Sequence, residues 1–480
     1  MKRKNSVIIF VLLLLVLVAG YIVVTAVTTK RQGFSEQDGG IAVSALRQSS
    51  IAEMRYRVGE EEFDFYTDTA GKWYYRPDTG FPVNAQIMTG MTALLSKVNA
   101  SREISGGEVD LEEFGLVSPT LHITITDKSD KETVYKVGAY NSFTNEYYFM
   151  LGESDRVYTI GPELAQGFSR KLVELALVDA APEIDKDAYK MFTIYSGEKK
   201  TRFQFLRDGQ DHFYTDMYNW FIIEPYDFAA AGTAKMNYLV SKATSNFEMA
   251  ACADYKPSDE ALEAYGLVLP RAKAIIDYTV TKTVGTSMTG AAATVVEDMS
   301  YSLLIGAQRD EEFTYVMIEG SDTVGLVLTE DVSVFIDLDA HDYLPVEIML
   351  MDILTVERMD VVLDGKTHTV KMNAKSGQEP QNGEIAYTID GREADAYCVE
   401  EFFKTIRMLT SESLATKEIT DKPSVSVTFY RNTDNFKLMT IDFFPYDLNF
   451  YLVEFNGRRE QLVNKRNVEK MTELFFMALG

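Results

Sequence analysis

The chain has 480 residues, too many for one ordinary hydrophobic core, and domains of roughly 100 to 200 residues predict about three of them. Hydrophobic residues make up 46% of the composition, which is typical of a folded protein, and two distant cysteines, Cys252 and Cys398, supply neither a disulfide framework nor a zinc site. The formal net charge of −25 makes nucleic acid a poor partner, because an acidic surface repels phosphate.

The amino-terminal segment predicts a membrane anchor. Lys2, Arg3 and Lys4 precede an apolar run over residues 7–27, which would be about 30 Å long as a helix and so would span a bilayer core. A cleaved signal peptide is the alternative, but its apolar stretch is normally shorter and ends in a small-x-small site. More positive charge lies before the run than just after it. We therefore expect a single-pass cell-membrane protein with a cytoplasmic amino terminus and the bulk of the chain outside.

Three related units follow a short linker. The phrase "EEFGLVSP" at 112–119 returns as "EAYGLVLP" at 263–270, and Trp73 aligns with Trp220 at a similar spacing. A third, divergent copy has "KEITDKP" where this phrase is expected. The predicted organisation is a cytoplasmic tip and anchor over 1–31, a linker over 32–44, and repeat units over 45–181, 182–345 and 346–480.

Each unit has the pattern strands, helix, strands, helix. In the first unit, alternating strands over 52–67 precede a helix capped by Asn84, and further strands end at Gly138. A closing helix after Pro162 is expected to place Leu164, Phe168, Leu172 and Leu175 on one face. In the second unit, the Gly-, Ala- and Thr-rich segment 283–298 predicts an exposed flexible insertion in a hairpin. The spacing of parallel-sheet crossovers is absent from the pattern. The fold class is therefore α+β: an N-terminal transmembrane helix, then three tandem units of antiparallel sheet plus two helices each.

The doubled phrase is interpreted as a joint between helix and strand. Gly115 and Gly266 predict a turn with positive φ, and Leu116 and Leu267 are expected to insert into the core of their unit. The proline that ends each copy is expected to start the next strand, where a missing N–H is tolerated. This interpretation gives the phrase a structural role and no catalytic one.

The segment "DLDAHD" is the best candidate for a metal site. It brings Asp337, Asp339, His341 and Asp342 close together in sequence. The favoured alternative is structural, because Asp179 occupies the equivalent place in the first unit and both would be helix-ending residues. A calcium site would also need more oxygen ligands.

Aromatic residues of the first unit are a second candidate. Trp73, Tyr74, Tyr75, Tyr147 and Tyr148 could form a sugar-stacking platform. The alternative, which is favoured, is that they form cross-strand pairs within a sheet.

Other signals of catalysis are missing from the sequence. The histidines His122, His212, His341 and His368 are scattered, and none lies in an HExxH pattern or beside a cysteine. Neither a P-loop, nor GxGxxG after a strand, nor a GxSxG elbow is present. The sequence therefore predicts no catalytic, cofactor-binding or metal-binding residues, no cofactor, and no enzymatic activity.

The order of these elements resembles the bacterial domain-of-unknown-function 4340 family. The resemblance rests on an amino-terminal span, "KWYY", "EEFGLVSP", a strand pair ending in "VG", and "YYFMLGESDRVYTI"; it is closest over 51–178, good over 189–340 and faint beyond. It implies a membrane-anchored envelope protein without assigned enzymatic residues. Members are often encoded near ABC transporters similar to gliding-motility auxiliary systems.

Two functions are therefore expected. The first is a non-enzymatic, membrane-anchored extracytoplasmic accessory or scaffold protein, associated with an ABC-type, gliding-motility-like export system. Its partners would be the membrane, through residues 7–27, and permease or auxiliary subunits of the transporter. The alternative is a cell-envelope glycan- or ligand-binding protein, which the aromatic strands and the abundant carboxylates suggest.

Overall fold

The structure is a computed structural model that describes ten segments of the chain. They are residues 40–44, 46–104, 110–154, 156–207, 218–226, 228–286, 292–349, 351–374, 385–433 and 436–480. The chain divides into two compact parts, Met1–Leu177 and Val178–Gly480.

Within its described residues, the first part contains one antiparallel sheet of nine strands. The strands are β1 Ile41–Ser44, β2 Ile51–Val58, β3 Glu61–Thr67, β4 Trp73–Tyr75, β5 Val98–Ile104, β6 Leu121–Asp127, β7 Glu132–Asn141, β8 Glu146–Leu151 and β9 Val157–Ile160. Across the sheet they lie in the order β1-β5-β9-β8-β7-β6-β2-β3-β4. Helices α1 (Ala85–Ser96) and α2 (Glu163–Phe168) contact each other, and short 3₁₀ helices cover Gln48–Ser50 and Leu172–Leu175.

The second part begins with another antiparallel sheet. Its strands are β10 Tyr189–Ser196, β11 Lys199–Phe205, β12 Trp220–Glu224, β13 Ala229–Ala230, β14 Ala251–Tyr255, β15 Ala272–Thr286, β16 Ala292–Gln308, β17 Phe313–Ile318 and β18 Thr323–Leu328, in the order β13-β12-β11-β10-β15-β16-β17-β18-β14. Its helices are α3 (Thr233–Ala243), α4 (Asp259–Ala264) and α5 (Thr329–Val332), with 3₁₀ helices over Ser333–Phe335, Ala340–Tyr343 and Ile353–Thr355.

A third antiparallel sheet completes the second part. Its strands are β19 Val356–Leu363, β20 Lys366–Ala374, β21 Ile385–Ile389, β22 Arg392–Glu393, β23 Ser413–Leu414, β24 Val425–Arg431, β25 Leu438–Pro445, β26 Phe450–Phe455 and β27 Arg458–Asn464, in the order β22-β21-β20-β19-β24-β25-β26-β27-β23. Helices α6 (Ala396–Arg407) and α7 (Lys465–Leu479) pack against each other.

The three sheets share one topology of eight strands. Three strands form a meander on one side, a helix leads the chain to a fourth strand on the opposite side, and four later strands fill the space between. In edge-to-edge order, β4-β3-β2-β6-β7-β8-β9-β5 corresponds to β12-β11-β10-β15-β16-β17-β18-β14 and to β21-β20-β19-β24-β25-β26-β27-β23. The α+β class with three tandem related antiparallel sheets is therefore confirmed, whereas the residue boundaries of the three units stay a prediction.

Alternation of apolar and polar residues decides which face of a sheet is buried. In β2, Met54 and Tyr56 are buried while Arg55 between them is exposed. In β6, Ile123 and Ile125 are fully buried. Burial of a side chain of this size stabilises a fold by roughly 1.5–3 kcal/mol, so the period-two pattern fixes the register of the pairing.

Helix α1 begins where the sequence predicts. The Asn84 Oδ1 atom accepts hydrogen bonds from the backbone nitrogens of Gln86 and Ile87, at 3.0 and 3.3 Å, and so caps the first turn. Met88, Met91, Thr92 and Leu95 form its buried face.

Two predictions of local structure are wrong. Residues 283–286 and 292–298 are paired strand rather than flexible insertion, with Thr283 opposite Thr294, because β-branched Thr and Val side chains favour strands. The insertion's remaining residues, 287–291, lie outside the described residues. The closing helix of the first unit is also interrupted. It ends at Phe168, where the Ser169 hydroxyl donates to the carbonyl of Gln166 at 2.9 Å.

Among the residues that the structure describes, no helix is long and apolar enough to cross a membrane. The predicted anchor over 7–27 lies outside the described residues, so the anchor and its orientation stay predictions.

Candidate functional site

The predicted metal segment has a structural role. Asp339 caps the 3₁₀ helix Ala340–Tyr343 by accepting the His341 backbone N–H at 2.9 Å. It therefore begins a helix, and its prediction as a helix-ending residue is wrong. The backbone N–H of Asp337 donates to Ser196 Oγ at 2.7 Å, and the carbonyl of Asp342 accepts from Lys235. No group of three or more metal-ligating side chains occurs in the described part of the chain.

The His341 side chain belongs to a polar cluster that joins the second and third sheets. Tyr226 Oη donates to Glu460 Oε2 at 3.3 Å and lies 3.4 Å from His341 Nδ1, which is 3.6 Å from Glu460 Oε1. Burial, followed by the charge on Glu460, raises the pKa of Tyr226. The phenol therefore keeps its proton and serves as a hydrogen-bond donor between the two sheets.

The other histidines do not extend this cluster. His122 lies half-buried in β6, and His368 Nδ1 lies 2.8 Å from Asp390 Oδ2. His212 lies outside the described residues. The described histidines are thus separate, each within its own structural environment.

Both cysteines are buried thiols. Burial raises the pKa of Cys252 to about 11, and burial also raises the pKa of Cys398, with a smaller contribution from Asp395. Because the thiolate is the nucleophile, neither side chain is activated for covalent chemistry.

The tyrosines of the first unit form the favoured cross-strand pairs. Tyr74 lies opposite Tyr66, with ring centroids 5.5 Å apart, and cations of Lys72 and Arg76 lie over these two rings. Tyr75 points to the other face and packs on core phenylalanines.

The other two tyrosines, Tyr147 and Tyr148, also pack within the sheet and its joint. Tyr147 lies opposite Tyr140 with ring centroids 4.9 Å apart, whereas Tyr148 packs on Phe114 at 4.4 Å. These residues come from different strand pairs and faces, so the five named aromatics do not form one platform.

The joint has the same construction in the first and second sheets. Gly115 and Gly266 have φ of +65° and +67°, which confirms the predicted turn. A Cβ on either glycine would lie 2.9 Å from a backbone nitrogen, that of Ala139 or Ala307. Each of these amides donates, at 2.8 Å, to the carbonyl of the ring residue that precedes the glycine.

A second glycine in each sheet allows the backbone of the joint to lie this close to the neighbouring strand. A Cβ on Gly138 or Gly306 would lie 2.2 Å from that same carbonyl oxygen. Leu116 and Leu267 then enter the core, with 2% and 4% of their surface exposed, as predicted. The paired glycines therefore explain the doubled phrase as a backbone contact, without chemistry.

The proline after each joint does not start the next strand. β6 begins at Leu121 and β15 at Ala272, two residues after the proline in each case. In the first sheet, Thr120 lies between proline and strand, and its hydroxyl donates to the carbonyls of Val137 and Gly138 at 3.0 and 2.9 Å. A side chain thus makes this contact before regular pairing begins.

The third sheet replaces the joint with a large side chain. The register places Phe444 at the position of Gly138 and Gly306, directly after the equivalent pairs Phe443 with Val453, Val137 with Phe149, and Ile305 with Val316. Phe444 is buried with Leu452 and Leu462. In the first and second sheets, the backbone of the joint lies against a glycine at this position. The Phe444 side chain occupies that space in the third sheet, which accounts for the absence of the joint sequence there.

A cleft of about 820 Å³ lies beside Trp220 in the second part. Its aromatic side comes from adjacent strand ends: Tyr189 opens β10, Phe205 closes β11 and Trp220 opens β12. The Trp220 ring centroid lies 5.1 Å from that of Phe205 and 5.7 Å from that of Tyr189. Phe247 and residues of the segment 180–187 also line the cleft.

Polar side chains of α3 and its surroundings complete the cleft. Asn219 donates to the carbonyl of Leu206 at 3.2 Å, and Ser241 Oγ donates to the carbonyl of Tyr238 at 2.8 Å. Asn237 is exposed, and its side-chain amide forms no hydrogen bond to the described residues. The lining of the cleft thus combines a group of aromatic rings with an available amide.

The first sheet lacks this group of rings. The register that pairs Phe205 with Trp220 pairs Thr67 with Trp73, and the residue equivalent to Tyr189 is Ile51. Sequence comparison of the two copies found the tryptophans. It missed the ring pair around Trp220, although the replacement of Thr67 by phenylalanine in the second copy was the available signal.

Comparison with protein-family models matches residues 73–212 to a domain of unknown function, DUF4340. Residues 73–212 therefore belong to the DUF4340 family. The DUF4340 segment begins at β4 and ends beyond β11, so it contains the first joint and the cleft residues Tyr189 and Phe205. None of the curated proteins and none of the solved structures compared with the chain matches it.

The DUF4340 segment also presents an exposed apolar tip. Phe143, in the turn between β7 and β8, is 99% exposed, and its backbone N–H is held by Asn141 Oδ1 at 3.0 Å. Leu448, in the equivalent turn between β25 and β26, is 89% exposed. Leu269, in the joint beside the same end of β16, is 87% exposed. Each sheet therefore exposes a large apolar side chain at its equivalent end.

Proposed function

We propose that the protein is a non-enzymatic, membrane-anchored extracytoplasmic accessory or scaffold protein of an ABC-type, gliding-motility-like export system. The observation that carries this proposal is the recurrence of an exposed apolar side chain at the same end of each sheet: Phe143, Leu269 and Leu448. Single exposed apolar side chains are common on protein surfaces, so it is their recurrence at the same end of each sheet that favours contact with another protein. A scaffold of repeated sheets gives such contacts a rigid base.

The joints support the same proposal. They recur with nearly the same distances in the first and second sheets, and their contacts are made by backbone atoms and buried leucines. Function has to be argued from a site, and the contacts that define these joints are made by backbone atoms and leucine side chains. The family resemblance supplies the proposed partner class, which is the permease or an auxiliary subunit of an ABC transporter.

Purification of the full chain from membranes in a mild detergent tests the partner. Mass spectrometry should identify transporter subunits, and Phe143→Ser combined with Leu448→Ser should lower their recovery. Val296→Ser is the matched control, because Val296 is 62% exposed and lies ten residues along β16 from the joint contact at Gly306. Equal recovery from all three proteins would count against contact through the sheet ends, and absence of transporter subunits would refute the proposed association.

The anchor and orientation form a separate part of the proposal. They are supported by the apolar run over residues 7–27 and by the basic residues that precede it. Protease added to intact cells stripped of their wall should digest the bulk of the chain. Complete protection while the membrane is intact would contradict an extracytoplasmic location.

The second function expected from the sequence is binding of an envelope glycan or another ligand. One observation favours it, the cleft of about 820 Å³ beside Trp220. Its size falls in the range of small-molecule sites, which are typically about 300–1,000 Å³ with apolar walls and few polar groups. Saturable binding of a small ligand by the full chain, lost when the cleft is altered, would establish this function.

A further inference from the structure

On the basis of the ligand-binding function proposed above, we infer that the cleft beside Trp220 binds a neutral saccharide, with a pyranose ring against the aromatic side and a hydroxyl at Asn237. The structural elements are the rings of Tyr189 and Phe205, the buried Trp220 that contacts them, and α3, which carries Asn237.

The aromatic side fits the C–H face of a sugar. Aromatic rings have negative faces, whereas the axial C–H bonds of a pyranose form a weakly positive apolar surface. Tyr189 and Phe205 are partly exposed at the cleft, while Trp220 is 4% exposed and contacts both rings. Trp220 therefore supports the two outer rings and presents little surface of its own.

The polar side fits hydroxyl groups. A sugar hydroxyl both donates and accepts hydrogen bonds, and the amide of Asn237 can do the same. Its exposed side chain has both functions available, because it forms no hydrogen bond to the described residues. Asn219 and Ser241, by contrast, already donate to backbone carbonyls, and Ser241 Oγ also accepts from the Asn246 side chain at 3.3 Å.

The charges favour a neutral ligand. Glu183 and Asp187 place two carboxylates at the cleft against one ammonium group, that of Lys186, and all three residues are exposed. The chain around them is strongly acidic, with a net charge of −25. An anionic sugar would be repelled, and the described residues that line the cleft offer a cation no buried carboxylate.

The second sheet is specialised for this contact. At the same three positions the first sheet has Ile51, Thr67 and Trp73, so the tryptophan is shared while the two outer rings are not. In the first sheet, the equivalent tryptophan fills its structural place without the two outer rings. Their presence in the second sheet therefore points to a ligand.

Tryptophan fluorescence of the full chain tests the inference. The chain has two tryptophans, so Trp73→Phe leaves Trp220 as the single reporter. In this background, chitotriose, a neutral trimer of N-acetylglucosamine, should produce a saturable change in emission. A hyaluronan tetrasaccharide, which is anionic, should bind at least tenfold more weakly.

Two further substitutions locate the binding. Asn237→Ala and Phe205→Leu should each weaken binding about tenfold or more, since loss of one good contact costs about 1.5 kcal/mol. Gln86→Ala on α1, the equivalent helix of the first sheet, should leave it unchanged. Circular dichroism would check that every variant is folded.

Three results would overturn the inference. The first is the absence of a saturable response to chitotriose, maltotriose and xylotriose. The second is stronger binding of the anionic sugar, and the third is binding that both Asn237→Ala and Phe205→Leu leave unchanged. Binding of a different small ligand in place of sugars, lost in the Asn237→Ala variant, would refute the saccharide and leave the ligand-binding function standing. Recovery of transporter subunits is measured independently, so the scaffold proposal is judged separately.

Discussion

Gly115→Ala is expected to loosen the first sheet and to leave the second unchanged. Alanine at a φ of +65° costs about 1–2 kcal/mol. The new Cβ would lie 2.9 Å from the Ala139 nitrogen, a backbone atom that has to move. That movement weakens the hydrogen bond from Ala139 to the carbonyl of Phe114, which is worth about 1 kcal/mol. The local loss is thus about 2–3 kcal/mol, or about 30- to 140-fold in the opening equilibrium.

Hydrogen–deuterium exchange with mass spectrometry measures this loss within the full chain. Amides of β6 and β7 should exchange faster by that factor, while those of β15 and β16 serve as the internal reference. Gly59→Ala is the matched control, because Gly59 has a φ of +63° and a Cβ there would meet no atom within 4 Å. It should show the conformational cost alone. Equal effects of the two substitutions, or unchanged exchange in β6 and β7, would refute the role of the close approach.

Three other predictions concern single side chains. Gly90→Ala should raise the free energy of unfolding by about 0.5–1 kcal/mol, because Gly90 is exposed within α1 and a Cβ there meets nothing within 4 Å. The variant should have a higher melting temperature, and a lower one would contradict the prediction. Iodoacetamide at about pH 8 should label Cys252 and Cys398 only after unfolding, since burial raises both pKa values, and rapid labelling of the folded protein would show otherwise. Burial, followed by the charge on Lys136, lowers the pKa of His122. The unfolded chain therefore binds the proton more readily, and the free energy of unfolding falls as the pH drops below about 6.5. Urea titrations of His122→Gln should show a smaller fall, and a pH profile identical to that of the wild type would exclude the effect.

The repeated order of strands and helices along the chain could be predicted because its determinants are local. A few residues of sequence are enough to recognise the alternation within β2 and β6, the Asn84 cap and the glycines of the joints. The joint was recognisable because a left-handed turn and a close backbone approach both require glycine. The same reasoning explains why Phe444 in the third sheet accompanies the loss of the phrase.

The contacts between distant segments could not be predicted. Tyr226, His341 and Glu460 meet where the second and third sheets join, although Tyr226 and Glu460 are 234 positions apart. No spacing rule connects them, since the fold alone brings them together. The segment 283–298 was misjudged for another reason. The prediction counted its Thr residues with Gly and Ala as signs of a loop, whereas the β-branched side chains of Thr and Val favour pairing along β15 and β16.

Photo-crosslinking in living cells tests the accessory role most directly. A benzophenone amino acid would replace Phe143 or Leu448, the exposed tips of equivalent turns, and Val296 would be the control position. The proposal predicts adducts with a permease or auxiliary subunit of an ABC transporter from the two tips, identified by mass spectrometry, and none from Val296. Well-expressed protein that gives no transporter adduct from either tip would contradict it.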